Sequence, residues 1–268
     1  MNKIIGFIGC GNMGGAMMAG LIKAGISAPE NIIVGDLNEK RLEETKKEFG
    51  VRVTTDNREV AKEADILILS IKPNIYKVVI DGLKDSVKED VVVITIAAGK
   101  GIKETEELFG RDIKVIKVMP NTPALVGEGM AALAPNNKVT KEELQEAVSM
   151  FESFGQAEIL DEKYMDAVTA VSGSSPAYVF MFIEAMADAA VLEGIPRDKA
   201  YKMAAQAVLG SAKMVLETGK HPGALKDMVC SPGGTTIEAV AALEERGFRS
   251  AVIEAMRVCA DKSREMSK

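Results

Sequence analysis

Short runs of aliphatic side chains recur along the first part of the chain, separated by stretches in which apolar positions return every three or four residues. The runs at 3–8, 31–35, 66–70, 91–96 and 114–118 are rich in isoleucine and valine. Runs of that length fit strands covered on both faces, where little polar alternation is needed. Between them, 13–24, 39–49 and 74–83 carry the spacing of amphipathic helices. Strands that alternate with helices predict a parallel sheet wound on both faces, an α/β fold. A less regular strand is expected over 126–134 and a further helix over 141–154.

Beyond about residue 161 the pattern changes. Glycine- and proline-marked turns separate segments of helical spacing at 164–171, 177–193, 197–218, 235–245 and 250–263. The segment 177–193 is apolar almost all round, with only Glu184, Asp188 and Glu193 charged. Such a helix is buried on most sides. A helical domain could bury it internally, and so could subunit association, which favours a dimer or larger assembly.

The turn after the first strand reads Gly9-Cys10-Gly11-Asn12-Met13-Gly14 and leads into a helix. In that context G-x-G-x-x-G signals a dinucleotide site: a tight turn at the first glycine, backbone approach to a pyrophosphate at the second, close helix packing at the third. Asp36 stands at the end of the second strand, where an acid accepts hydrogen bonds from ribose hydroxyls and repels a 2′-phosphate. Lys40 and Arg41 follow and would offset that repulsion in part, although a solvated helix face is the commoner role for such residues. Cys10 reads as a small filler. Ser70-Ile71-Lys72-Pro73 and Ala97-Ala98-Gly99 end two further strands, at the edge where ligands of open α/β sheets gather. Lys72 is a candidate contact to phosphate or ribose, and Asn121 a candidate to aim its amide at the nicotinamide or substrate.

Composition narrows the classes of function. The chain has 268 residues, 47% hydrophobic and 27% charged, as soluble globular proteins of one or two domains do. A net charge of −6 without a lysine or arginine cluster argues against a nucleic-acid partner. The three cysteines, Cys10, Cys230 and Cys259, lie too far apart for a disulfide framework or a metal cage and fit a reducing cytoplasm. No metal site is expected. The first apolar run starts at residue 3, so no leader is expected. The longest uncharged stretch, 167–183, contains Ser172-Gly173-Ser174-Ser175-Pro176 and is expected to break there rather than span a bilayer.

A second glycine turn, Ser231-Pro232-Gly233-Gly234-Thr235-Thr236, also precedes a helix. It reads either as an anion-binding nest or as a plain turn in which Ser231 or Thr235 caps the helix. His221, the only histidine, is a candidate general acid or, more commonly, a hydrogen-bonded structural residue.

Four segments carry a family resemblance: IGFIGCGNMG (5–14), MPNTPA (119–124), VSGSSPAYVFMFIEAMADAA (171–190) and HPGALKDMVCSPGGTTIEAVAALE (221–244). In order and over essentially the whole chain, they resemble the pyrroline-5-carboxylate reductases. The resemblance implies a Rossmann-type doubly wound sheet over 1–160 that binds NADPH or NADH. It also implies an all-helical C-terminal domain over 161–268 for substrate binding and dimerisation, with dimers often assembled further. The implied reaction is reduction of 1-pyrroline-5-carboxylate to L-proline. By position, Gly9, Cys10, Gly11, Asn12, Met13, Gly14, Asn57, Ser70, Ile71, Lys72, Pro73 and Ala97 match cofactor contacts. The substrate turn comprises Ser231, Gly233, Gly234, Thr235 and Thr236. Its amides near Gly234, Thr235 and Thr236 are implied to hold the substrate carboxylate, and the Thr236 hydroxyl to contact the ring nitrogen. The substrate loop of one subunit is implied to face the nucleotide domain of its partner. Aspartate at position 36 departs from the small or hydroxyl residue often found there, which points towards NADH use. A 3-hydroxyacid dehydrogenase of similar plan would need a lysine or histidine acid that the central helices do not obviously offer. A nucleotide sensor without turnover would not need the second turn.

Overall fold

The computed structural model describes residues 2–266. The first unit holds the strands β1 (Ile5–Ile8), β2 (Ile32–Gly35), β3 (Arg52–Thr54), β4 (Ile66–Leu69), β5 (Val92–Thr95), β6 (Lys114–Met119), β7 (Gly129–Pro135) and β8 (Gly155–Ile159). The connecting helices are α1 (Asn12–Lys23), α2 (Glu39–Phe49), α3 (Asn57–Glu63), α4 (Tyr76–Leu83), α5 (Ile102–Phe109) and α6 (Lys141–Glu152). The sheet order is β3-β2-β1-β4-β5-β6-β7-β8. Its first six strands follow the doubly wound Rossmann order, with the reversal between β1 and β4.

The sheet is not wholly parallel. β7 runs antiparallel to β6, while β8 is again parallel to β7. A parallel return needs a crossover of roughly a dozen residues or more, and the link from Met119 to Gly129, a 3-10 turn at Thr122–Val126, is too short for one.

Both faces of the sheet are covered. Ile66, Ile68, Ile94 and Val118 join Met17, Leu21 and Phe151 in one core, and Leu67, Leu69, Val93 and Val115 join Tyr76, Ile80 and Phe109 in the other. That two-sided burial accounts for the near-continuous apolar runs. The short elements β3, β8, α3 and α5 lay outside the sequence pattern. β3 has only three residues, with Arg52 exposed, so its hydrophobic period is too brief to register. Side chains fix several helix starts: Asn38 caps α2, Asp56 caps α3, and Thr140 with Glu143 forms a capping box at α6.

Among the described residues, 2–174 and 259–266 belong to this unit, and Ser175–Val258 forms a second. The first unit also includes α7 (Met165–Val168) and a π-helical turn at Thr169–Gly173. The expected break at 172–176 falls at Ser174, a bend between the π-helical turn and α8 (Ser175–Leu192). Pro176 has no N–H to give to the Ser172 carbonyl four residues earlier, and the Asn121 side chain supplies the missing donor at 3.0 Å. The resulting stretch Glu162–Leu192 is long and apolar enough, by length and composition, to cross a membrane.

The second unit contains α8, α9 (Arg197–Thr218), α10 (Pro222–Val229), α11 (Thr235–Glu245) and the beginning of α12 (Phe248–Met266). α8 and α9 pack together around Ala187, Ala200 and Ala204. Internal packing does not bury the apolar α8: Phe180 and Met181 remain 63% and 69% exposed, and Leu216 and Ile253 are open as well. An area of that kind marks an association surface.

Candidate active site

The crevice lies at the carboxyl edge of the sheet, where the strand order reverses. Gly9 adopts φ +96°, a backbone region closed to most side chains. Its N–H donates to the Gly35 carbonyl at 2.7 Å, and its own carbonyl accepts from the Ser70 hydroxyl at 2.5 Å. A Cβ at Gly14 would stand 2.9 Å from the Gly9 carbonyl oxygen, so only glycine lets α1 approach the turn. At Gly11 a Cβ would meet nothing within 4 Å, leaving that backbone open to a ligand. α1 begins here with Gly11 in the cap position and no side-chain cap. Its first amides are therefore available to an anion.

A cavity of about 650 Å³ lies against this turn. Its walls include Gly9, Gly11, Asn12, Met13 and Gly14 from the turn, Asp36 from the end of β2, Ser70, Ile71, Lys72 and Pro73 after β4, and Ala97 after β5. Size and lining suit a dinucleotide. Arg41, Ile75, Ile96, Ala98, Thr122 and Leu125 also line it, and of these Ile75, Ile96 and Leu125 carry no signal in the sequence. Two glycine-turn neighbours stay out of the wall. Cys10 is buried behind the turn, and Asn57 sits at the start of α3 with its Oδ1 buried and unpartnered. A Cβ at Gly35 would lie 2.5 Å from that oxygen.

Asp36 is held by the turn itself. One carboxylate oxygen accepts from the Asn38 amide at 2.9 Å, and the other from the Cys10 amide at 3.1 Å and the Cys10 thiol at 3.4 Å. Burial opposes ionisation of Asp36, but these hydrogen bonds and the Arg41 charge outweigh it and hold its pKa below the usual value. Cys10 shifts the other way. Burial, with the Asp36 charge adding to it, pushes the thiol up to about 11, so it stays protonated and donates.

Asn121 does not face the crevice. It is buried, its amide nitrogen donates to Ser172 and its oxygen accepts from the Met130 amide at 2.8 Å. The expectation that it aims at nicotinamide or substrate is corrected: both ends of the amide are engaged with backbone. Its true partners lie too far along the chain for spacing to reveal them.

In the second unit, Gly233 has φ +65° and the Gly234 amide donates to the Ser231 carbonyl at 3.0 Å. A Cβ at Gly234 would stand 2.3 Å from the Ser231 hydroxyl, so a side chain there would displace that hydroxyl from its place in the turn. Gly234 occupies the cap position of α11 and no side chain caps the helix. Neither Ser231 nor Thr235 therefore serves as the plain cap, and the amides that follow are open. His221, by contrast, does cap: its Nδ1 accepts from the Gly223 amide at 3.0 Å at the start of α10.

Comparison with known proteins agrees along the whole chain. Residues 162–266 match the family model for pyrroline-5-carboxylate reductase dimerisation, and residues 4–99 match that for NADP oxidoreductase, coenzyme F420-dependent. The pyrroline-5-carboxylate reductase of Escherichia coli is 54% identical over 268 residues, covering 100% of both chains. The structure of a pyrroline-5-carboxylate reductase from Coxiella burnetii superposes with a TM-score of 0.94 at 35% identity, over 100% of both chains. That of the Plasmodium falciparum pyrroline carboxylate reductase with NADP bound gives 0.90 at 34% identity, over 100% of this chain and 99% of that one. The dimerisation match spans α8 and accounts for its uncovered apolar surface. The chain belongs to the pyrroline-5-carboxylate reductase family of oxidoreductases.

Proposed function

We propose that the chain reduces 1-pyrroline-5-carboxylate to L-proline with NAD(P)H bound along the first glycine turn and the substrate carboxylate held on the second. The carrying observation is that α1 and α11 both follow a glycine turn and both lack a side-chain cap, whereas α2, α3, α6 and α10 each have one. At α5, which also starts after a glycine turn without a local cap, the Glu162 carboxylate accepts from the Ile102 amide at 2.7 Å. Open first-turn amides at the positive end of a helix dipole favour an anion: a pyrophosphate at one, a carboxylate at the other.

When bound, the reduced nicotinamide supplies the hydride that converts the substrate C=N bond to C–N. The chain's own residues bind and orient. The amides of Thr235 and Thr236 hold the carboxylate, next to the Gly234 amide that closes the turn onto Ser231. The Thr236 hydroxyl accepts from the protonated ring nitrogen, which favours the iminium, the better hydride acceptor. A threonine hydroxyl is a poor acid, so the proton arrives with the iminium or from solvent. Productive geometry requires reacting atoms roughly 3–3.5 Å apart, a positioning task. The turn at Ser70–Pro73 and the Ala97 turn wall the crevice, with Lys72 available to phosphate or ribose. Cys10 supports it from behind through its bonds to Asp36.

The fixed carboxylate of Asp36 suits a ribose with free hydroxyls and supports efficient NADH use. In this reading residues 1–160 serve the cofactor, and 161–268 serve the substrate and a homodimer or larger homo-oligomer. The enzyme works in the cytoplasm, without membrane or nucleic acid. The test is stoichiometric: purified protein given pyrroline-5-carboxylate and NADH forms one L-proline per NADH consumed. Cofactor oxidation without proline would overturn the reading.

A further inference from the structure

We infer that Arg41 is the residue that reads the adenosine 2′-phosphate, so that one crevice accepts both NADPH and NADH. The inference rests on the dinucleotide reading above. Arg41 and Asp36 line the same cavity. Lys40, its neighbour in sequence, turns away: it lines a separate surface depression with Glu43 and Lys47, and stands 4.0 Å from Glu44. Sequence offered both cations equally; the rotation of α2 selects one.

The two charges in the crevice are held differently. Asp36 is fixed through both oxygens by the Asn38 and Cys10 amides and the Cys10 thiol, so it cannot swing aside for a phosphate. Arg41 is anchored only through its backbone, its N–H donating to the Asn38 side chain at 3.1 Å. Its side chain is exposed, and its charge is felt at Asp36. Among the described residues none forms an ion pair with its guanidinium. A ribose with a free 2′-hydroxyl finds its acceptor in Asp36. A 2′-phosphate is repelled by Asp36 and needs a planar, multiply donating cation within reach, which Arg41 provides.

Titration calorimetry on the full chain separates the possibilities, with NADP⁺, NAD⁺, adenosine 2′,5′-bisphosphate and AMP as probes. Arg41→Ala is expected to weaken NADP⁺ and the bisphosphate by about tenfold or more, the worth of one charge-assisted contact. NAD⁺ and AMP should stay within about twofold, and Lys40→Ala should leave all four within the same margin. The wild-type affinity for NADP⁺ should fall more steeply with salt than that for NAD⁺, and the difference should shrink in Arg41→Ala. Equal losses for NAD⁺ and NADP⁺, no loss for either, or wild-type protein that binds NAD⁺ alone would overturn the role of Arg41 while leaving the dinucleotide site intact. Folded wild-type protein that binds none of the four would overturn the dinucleotide reading itself.

Discussion

The side-chain amide of Asn121 donates to the carbonyl of Ser172 at 3.0 Å, filling the place of the N–H that Pro176 lacks. With its oxygen on the Met130 amide, Asn121 joins the π-turn to the end of β6 and the start of β7.

Asn121→Ala should therefore act on stability rather than chemistry. It leaves one part-buried carbonyl and one part-buried amide without their partner, at a cost of about 1–3 kcal/mol. Urea unfolding should show a lower midpoint, while KM for the dinucleotide changes little. An unchanged midpoint would mean that water or backbone adjustment replaces both bonds.

Gly14→Ala tests the first turn. The added Cβ would lie 2.9 Å from the Gly9 carbonyl oxygen and 3.1 Å from the Ser70 hydroxyl, so α1 or the turn must shift. Dinucleotide affinity should fall about tenfold or more, with a stability loss of about 1–3 kcal/mol. Calorimetric titration and thermal unfolding read the two effects separately. Full cofactor affinity in the variant would show that this close approach does not shape the site.

Much of the first unit was legible because burial on both sheet faces writes itself as aliphatic runs, as in Ile66–Leu69. The glycine turn and Asp36 were legible because backbone conformation and hydrogen bonding there depend on residue type. What escaped depends on distant partners. The proline-containing run at 172–176 has the composition of a break and bends at Ser174, but the hydrogen bond that Asn121 gives to Ser172 there comes from another part of the chain. Arg41 and Lys40 are indistinguishable until the orientation of α2 is known. The anion nest and the capped turn at 231–236 share one sequence, and what the structure adds is that no side chain caps the start of α11.

Cys10 should be chemically silent in the native protein. Its thiol is buried and its pKa is raised from 9.0 to about 11, so little thiolate exists near neutrality. Alkylation with iodoacetamide at neutral pH, read by peptide mass spectrometry, should spare Cys10 until the chain is unfolded. The same shift gives a sign for stability. The protonated thiol supports the fold fully below pH 9.0, and that support is lost as pH rises towards about 11. Asp36 acts at the other end: its lowered pKa adds stability above 3.8 that is lost as the pH falls through the folded value. Rapid native labelling of Cys10 would contradict the burial argument.

Thr236→Ala should lower kcat by about 10–100-fold, the worth of one hydrogen bond to a charged group at the reacting centre. Because Thr236 is the second residue of α11 and caps nothing, thermal stability and dinucleotide affinity should hold. A kcat equal to that of wild type would remove the hydroxyl from the mechanism.

Initial rates of NADH and NADPH oxidation with pyrroline-5-carboxylate, on wild type and Asp36→Ser side by side, test the central claim most directly. Saturable oxidation that depends on pyrroline-5-carboxylate, favouring NADH in wild type and shifting towards NADPH in the variant, is the predicted result. Absence of substrate-dependent oxidation with either cofactor, in wild-type protein shown to be folded, would contradict it.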